Sequence, residues 1–225
     1  MIEPLRILQI EVGLIQNFNE LVACPETGAC AVVDPAFEAD RLLKLAAEHA
    51  LSIEIVLVTH THPDHIEAVG EIVAAAGAVV RVGAREADNV RRFAPGVTVV
   101  PVADGETVAI GRRTVTALST PGHTVDGISY YTGDAVMTGD TLFVGGVGRT
   151  DFPGGDAPTL WRSLQKLAAL PEETRVFPGH DYGQTPTSTI AWERATNPYL
   201  RCATVDEFVA LRTGKSPPRP TRGPR

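Results

Sequence analysis

Apolar and polar positions along the chain switch between two periods, and their order predicts a strand-rich α/β protein. Residues 5–12 and 20–23 read as strands. Residues 30–33, Cys-Ala-Val-Val, read as a third, closed by Asp34-Pro35. Residues 39–49 place Leu42, Leu43, Leu45 and Ala46 on one helical face. His49 falls near the end of that helix, where a surface imidazole meets the negative end of the helix dipole. Residues 53–58, Ile-Glu-Ile-Val-Leu-Val, are β-branched and apolar as in a buried strand, and residues 66–76 have the composition of the helix that follows. Strand returns at 78–82, and a short charged helix is predicted over 84–93. Asp104-Gly105-Glu106 turns residues 97–102 back into 107–110, and Gly111-Arg112-Arg113 makes the next hairpin into 114–118. Residues 128–131 and 135–138 flank the Gly133-Asp134 turn. Residues 159–170 form an amphipathic helix ended by Pro171, and 187–196 form another, stopped by Asn197-Pro198.

Four of the predicted strands run into polar residues of one chemical kind. After the strand at 53–58 comes His60-Thr61-His62-Pro63-Asp64-His65. Loops at the carboxyl ends of strands are where open α/β sheets usually bind ligands. Imidazole with carboxylate suits zinc, iron or manganese. The construction recurs in Ser119-Thr120-Pro121-Gly122-His123, in Val136-Met137-Thr138-Gly139-Asp140, and in Val176-Phe177-Pro178-Gly179-His180. A lone histidine or aspartate at such a place is ordinarily a cap or a turn residue. Four such sites in one chain point instead to a shared metal centre.

The His60-x-His62-x-Asp64-His65 block, with His123, Asp140 and His180 following in order, resembles the metallo-β-lactamase superfamily. The resemblance implies an αββα sandwich, two mixed β-sheets face to face with helices outside and the metals at one edge. It also implies that His60, His62 and His123 hold a first ion, that Asp64, His65 and His180 hold a second, and that Asp140 bridges them. The expected cofactor is two divalent ions, zinc first, with iron or manganese as the other candidates.

Composition bears on domain size, partners and location. With 225 residues and 44% hydrophobic content, the chain suits one domain with a substantial core, expected over residues 1–213. Residues 214–225 carry prolines and basic residues without a large apolar side chain, and a mobile tail is expected there. The net charge of −7 argues against a nucleic-acid partner, as does the lack of room for the further domain of nucleic-acid-processing relatives. Neither a membrane span nor a basic-then-apolar leader is present in the sequence, so a cytoplasmic location is expected. Cys24, Cys30 and Cys202 are odd in number; Cys24 and Cys30 flank a turn and could face each other across a hairpin, but reduced thiols are expected.

Two ions close together lower the pKa of a shared water from 15.7 to roughly 7, which gives a bridging hydroxide for attack on a carbonyl. A thiolate leaving group needs little protonation, a free thiol having a pKa of about 8.5, so a thioester suits a site without a separate acid. Asp64 and Asp140 are the candidate catalytic carboxylates. Asp140 resembles the bridging residue of the glyoxalase II (hydroxyacylglutathione hydrolase) branch, which implies an acylglutathione as substrate. In that branch the positions of Arg149 and Tyr182 bind glutathione. The plain alternatives are an Arg149 ion pair with Asp151 or Asp156 and a Tyr182 packed in the core. The branch's sizeable helical domain after the last metal histidine has no counterpart in residues 181–225, and Val147 stands where cysteine is common. Both departures bear on the substrate, whereas Ser188-Thr189-Ile190, Glu193-Arg194 and Asn197-Pro198 resemble the ending of compact bacterial hydrolases.

A different reaction class competes. Gly148-Arg149-Thr150-Asp151-Phe152 and His180-Asp181-Tyr182 are also similar to persulfide dioxygenases, which use one Fe(II). Here the iron triad would be His60, His123 and Asp140. A metal-binding protein without catalysis is the third reading and requires protein to block every open coordination position. The expected partners are a small thioester or glutathione conjugate and, where the chain associates, a second copy as a homodimer.

Overall fold

The computed structural model describes residues 3–214, and the tail expected from 214 onward lies, apart from Gly214, outside the described residues. The first half builds one six-stranded sheet: β1 (Arg6–Val12), β2 (Asn17–Ala23), β3 (Ala29–Val33), β4 (Ser52–Leu57), β5 (Val79–Gly83) and β6 (Val99–Val102), in that spatial order. The pairs β1·β2 and β2·β3 are antiparallel, and β3 to β6 run parallel. The second half supplies β7 (Thr107–Ile110), β8 (Arg113–Ser119), β9 (Ile128–Tyr131), β10 (Ala135–Gly139), β13 (Arg175–Pro178) and β14 (Ser188–Thr189), ordered β14-β13-β10-β9-β8-β7. The short hairpin β11 (Leu142–Phe143) and β12 (Gly146–Val147) lies between.

The sheets face each other because their strands are apolar on both sides. Val22, Ala31, Val33 and Leu57 from the first meet Val115, Ala117, Ile128 and Met137 from the second. The outer face of the first sheet buries Val32, Val56 and Val80 against α1 (Ala39–Glu48), α3 (Val69–Ala76) and α4 (Ala87–Phe93) through Leu42, Ile72 and Val90. The second buries Val136 and Val176 against α5 (Ala157–Ala168), α6 (Ile190–Thr196) and α7 (Val205–Thr213). Each fully buried leucine there, such as Leu160 or Leu164, contributes roughly 1.5–3 kcal/mol. The architecture is the αββα sandwich expected. Tyr130 ties the layers beneath the site: its Oη lies 3.0 Å from the Val58 carbonyl and 3.1 Å from that of Arg81.

Several local expectations shift. The helix expected at 66–76 is two pieces, α2 (Pro63–Ile66) and α3, because Ala68 N–H donates to the Pro35 carbonyl at 3.0 Å and the chain re-aims there. The charged helix at 84–93 begins as a 3-10 turn, Ala84–Glu86. The segment at 187–196 opens as β14, paired with β13, before Thr189 caps α6. Helix α5 starts earlier than its apolar pattern, at Ala157, because Asp156 accepts from Thr159 N–H at 2.9 Å. Helix α7 has no counterpart in the sequence reading; Thr204 caps it and Phe208 is buried among α5 and its neighbours. His49 caps the end of α1 and is exposed. All three cysteines are free. Cys24 joins the core between the sheets and Cys30 the outer face, so the two point to opposite sides and do not face each other.

Candidate metal centre

All the histidine and aspartate loops emerge at one edge of the sandwich. His60, His62, Asp64 and His65 follow β4, His123 follows β8, Asp140 follows β10 and His180 follows β13. Because β10 and β13 are parallel, with Gly139 opposite Pro178, they deliver Asp140 and His180 at the same end. Two glycines permit the crowding. Gly139 has φ 48°, and a Cβ there would lie 2.2 Å from Thr59 Oγ1. At Gly179 a Cβ would lie 2.7 Å from Asp140 Oδ1 and 2.8 Å from His65 Cε1.

The donors form two sets. His62 Nδ1 lies 3.1 Å from His60 Nε2 and 3.0 Å from His123 Nε2. His65 Nε2 and His180 Nε2 are 3.2 Å apart, and Asp64 Oδ2 lies 3.7 Å from the first and 3.4 Å from the second. Within each set the ligand atoms lie within 4.8 Å of one another. Asp140 faces both. Its Oδ1 is 3.3 Å from His65 Nε2 and 3.5 Å from His180 Nε2, and its Oδ2 is 3.5 Å from His123 Nε2.

Hydrogen bonds behind the rings fix which nitrogen faces inward. His123 Nδ1 donates to the Arg149 carbonyl at 2.7 Å and His180 Nδ1 to that of Ile15 at 3.0 Å. His65 Nδ1 donates to Asp34 Oδ2 at 2.9 Å. The Thr59 hydroxyl donates to Asp34 Oδ2 at 2.6 Å, which leaves its lone pair for His60 Nδ1 at 3.0 Å. With those protons on the outer nitrogens, the Nε2 lone pairs of His60, His65, His123 and His180 point into the centre. Lone pairs converging this closely favour a cation between them. Among the described residues, Asp140 Oδ1 is buried without a hydrogen-bond partner, the mark of an atom whose partner is an ion. The donor set therefore fits divalent metal.

Electrostatics agree. Burial, together with the surrounding imidazoles, holds His60 well below the usual histidine range, and burial followed by His123 lowers His62. Both are thus neutral ligands near pH 7. Against the burial that would raise it, His180, His65 and Asn17 hold the Asp64 carboxyl well below the usual range. Asp140 is likewise lowered, burial being outweighed by His65, His180 and His123. His65 moves the other way. Burial would lower it, but Asp140 and Asp34 raise it well above its usual value. The negative field that draws a proton there draws a metal ion equally.

A cavity of about 540 Å³ opens directly onto the donors His62, Asp64, His123, Asp140 and His180. Its walls are apolar, from Ile15, Phe37, Phe143, Phe152 and Tyr182. Arg149 lines the mouth with its guanidinium 4.3 Å above the Phe152 ring, and pairs with Asp151 through two bonds of 2.9 and 2.7 Å; Asp156 caps α5 instead. Tyr182 is no core residue: it is 56% exposed and stacks on His180 with ring centroids 4.6 Å apart.

The sequence reading missed the residues that support the donors. Asp34 closes β3, and an apolar run ending in aspartate is the same signal that singles out Asp140. Asn17 Nδ2 donates to the Asp64 carbonyl at 2.9 Å and to Oδ2 at 3.2 Å. The buried Glu193 carboxylate accepts from Gly145 N–H at 3.1 Å, Ser188 Oγ at 2.6 Å and Asn197 Nδ2 at 2.8 Å, which anchors the loop beside Phe143. Glu193 and its partners Ser188 and Asn197 belong to the hydrolase-like ending, whereas Asn17 carries no sequence signal.

Comparison with known proteins gives four findings. The family model of the Metallo-beta-lactamase superfamily matches residues 20–180. A Beta-lactamase hydrolase-like protein of Agrobacterium fabrum is 35% identical over 87% of this chain and 52% of its own length, so the chain spans about half of that relative. A Hydroxyacylglutathione hydrolase of Roseobacter denitrificans is 36% identical over 89% of this chain and 88% of its own. Among solved structures, ETHE1 from Myxococcus xanthus superposes with a TM-score of 0.84 at 37% identity, covering 96% of this chain and 93% of that one.

Proposed function

Because the chain belongs to the metallo-beta-lactamase superfamily, we propose that it is a metal-dependent hydrolase of thioesters, with an acylglutathione as the leading substrate. One observation carries this reading. Asp140 offers Oδ1 to His65 and His180 and Oδ2 to His123, so a single carboxylate serves two donor sets at once. We assign His60, His62 and His123 to a first ion, Asp64, His65 and His180 to a second, and Asp140 to both. Zinc leads on the chemistry of the donors, with iron and manganese as alternatives.

Divalent ions held there would supply a nucleophilic water near neutral pH and polarise the substrate carbonyl. The chain's own residues do the remaining work. Asp64 stays ionised and is aimed by Asn17, so it can accept a hydrogen bond from water between the donor sets. The apolar cavity walls would pack against a bound substrate and leave its carbonyl facing the donors. Arg149 and Tyr182, at the mouth, are placed to meet the polar part of the thiol. A cytoplasmic setting belongs to the same proposal and suits three unpaired thiols. The open cavity beside the donors argues against a purely structural metal site.

A panel of acylglutathiones tested with protein of measured metal content checks the proposal. Turnover proportional to bound metal supports it, and absence of hydrolysis by fully loaded protein overturns it. The second reading, an iron-dependent dioxygenase acting on glutathione persulfide, is favoured by the completeness of its triad: His60, His123 and Asp140 supply two histidines and one carboxylate, with His123 and Asp140 lining the same cavity. Iron-dependent oxygen uptake with glutathione persulfide would select it.

A further inference from the structure

Glu86 is 1% exposed, yet it belongs to neither donor set. It stands where β5 turns through the 3-10 segment into α4. Its Oε2 accepts from Thr61 N–H at 2.6 Å and from Thr61 Oγ1 at 2.8 Å. Its Oε1 accepts from Thr124 Oγ1 and from Asp126 N–H at 3.3 Å. Thr61 is the residue between His60 and His62, and Thr124 directly follows His123. One buried carboxylate therefore ties together the two loops that assemble the first donor set.

Burying a carboxylate is costly unless its lone pairs are used. Here four donors meet two oxygens, the full capacity that an acceptor-only group offers. The grip is doubled by its neighbours. Asn89 Nδ2 donates to Thr61 Oγ1 at 2.9 Å, and Arg85 N–H donates to Asp126 Oδ2 at 2.8 Å. Gly83 lets the end of β5 and the loop after His123 come this close, since a Cβ there would lie 2.3 Å from the Asp126 carbonyl. The second donor set rests on other groups: Asn17 beside Asp64, the Ile15 carbonyl behind His180, and Asp34 behind His65, an aspartate that also reaches His60 through Thr59.

We propose that Glu86 is a positioning residue for the first ion: it fixes the His60–His62 loop against the His123 loop and so sets the affinity of that donor set. It touches neither ion nor substrate. The inference rests on the assignment of two donor sets made under the proposed hydrolase reading.

Cobalt(II) titration of the metal-free protein, read by visible absorption with a competing chelator, tests it without turnover. His62→Ala identifies the spectral component of the first set. Glu86→Gln keeps the shape of the side chain but turns one acceptor atom into a donor facing donors. It is expected to weaken the His62-dependent component by about 10–100-fold and to leave the other within about twofold. Thr124→Val keeps the carboxylate and removes one of its donors, so the same component should weaken by a smaller factor, about three- to tenfold. If Glu86→Gln fails to fold, Thr124→Val carries the same comparison. Equal weakening of both components overturns the proposal. So does a His62-dependent affinity within about twofold of the unmodified protein in the variants that fold. A titration with no His62-dependent component overturns both the proposal and the two-set assignment on which it rests, while loss of hydrolysis alone touches neither.

Discussion

Asp34 Oδ2 accepts a hydrogen bond of 2.9 Å from His65 Nδ1, with both side chains all but inaccessible to solvent. The same oxygen takes the Thr59 hydroxyl at 2.6 Å, and Thr59 in turn receives His60 Nδ1 at 3.0 Å. One carboxylate thus orients a ring in each donor set. Asp34→Asn would place an amide N–H against one of these donors. The expected result is a loss of about 10–100-fold in affinity for the ion assigned to His65, measured by metal titration. An affinity equal to that of the unmodified protein would show that the His65 ring is held by other contacts.

Asp140 is the residue on which the two-ion reading turns. Asp140→Ala removes the oxygens that face both donor sets. Turnover is expected to fall by at least on the order of 10² to 10³, the cost of removing one preorganised stabiliser of developing charge, with metal content falling alongside. Near-normal turnover at intact metal content would defeat the assignment.

Tyr182 stands at the cavity mouth, stacked on His180 and about half exposed. Tyr182→Phe keeps the stack and removes the hydroxyl. Loss of a hydrogen bond to a substrate carboxylate costs about 1.5 kcal/mol or more, so KM for an acylglutathione should rise roughly tenfold while kcat changes little. Steady-state kinetics separate the two terms, and an unchanged KM would leave Tyr182 as packing for His180 alone.

Glu20 gives a prediction about stability. It is buried on β2, and burial, then the charge of Asp34, raises its pKa to about 8, against the hydrogen bond from Gln9 and the nearby His65. The folded state therefore holds a proton that the unfolded chain releases near pH 4.5. Between about pH 4.5 and 8 the folded state binds more protons, so this group's contribution to stability falls as pH rises, and it levels off above about pH 8. Glu20→Gln should raise the melting temperature at pH 7.5 by several degrees and change it little at pH 4.5. A variant that is equally shifted at both pH values would show that Glu20 does not titrate in this window.

Much of this protein was decided within short stretches of its own sequence. The runs that became β4, β8, β10 and β13 are rich in apolar or β-branched residues, and each runs into a polar turn, so strand and candidate donor could be read together. His60, His62, Asp64, His65, His123, Asp140 and His180 were legible because side chains that rarely end strands ended four of them. The sandwich followed from the resemblance those residues carry, and the packing of its layers agrees.

What only the tertiary structure decided is which distant groups meet. Asp34, Asn17 and Glu86 reach the centre through hydrogen bonds between segments far apart in the chain, and no local period records such a bond. The division of the candidate donors into two sets was implied by the resemblance alone; the geometry that turns one oxygen of Asp140 to each is three-dimensional, because it depends on two parallel strands ending at the same height. The break between α2 and α3 comes from a bond to the Pro35 carbonyl, and α7 is held by burial of Phe208 against other helices. Local propensity shows where a strand ends and what it carries; packing chooses the partner, because burial makes an unpaired polar group too costly to leave alone.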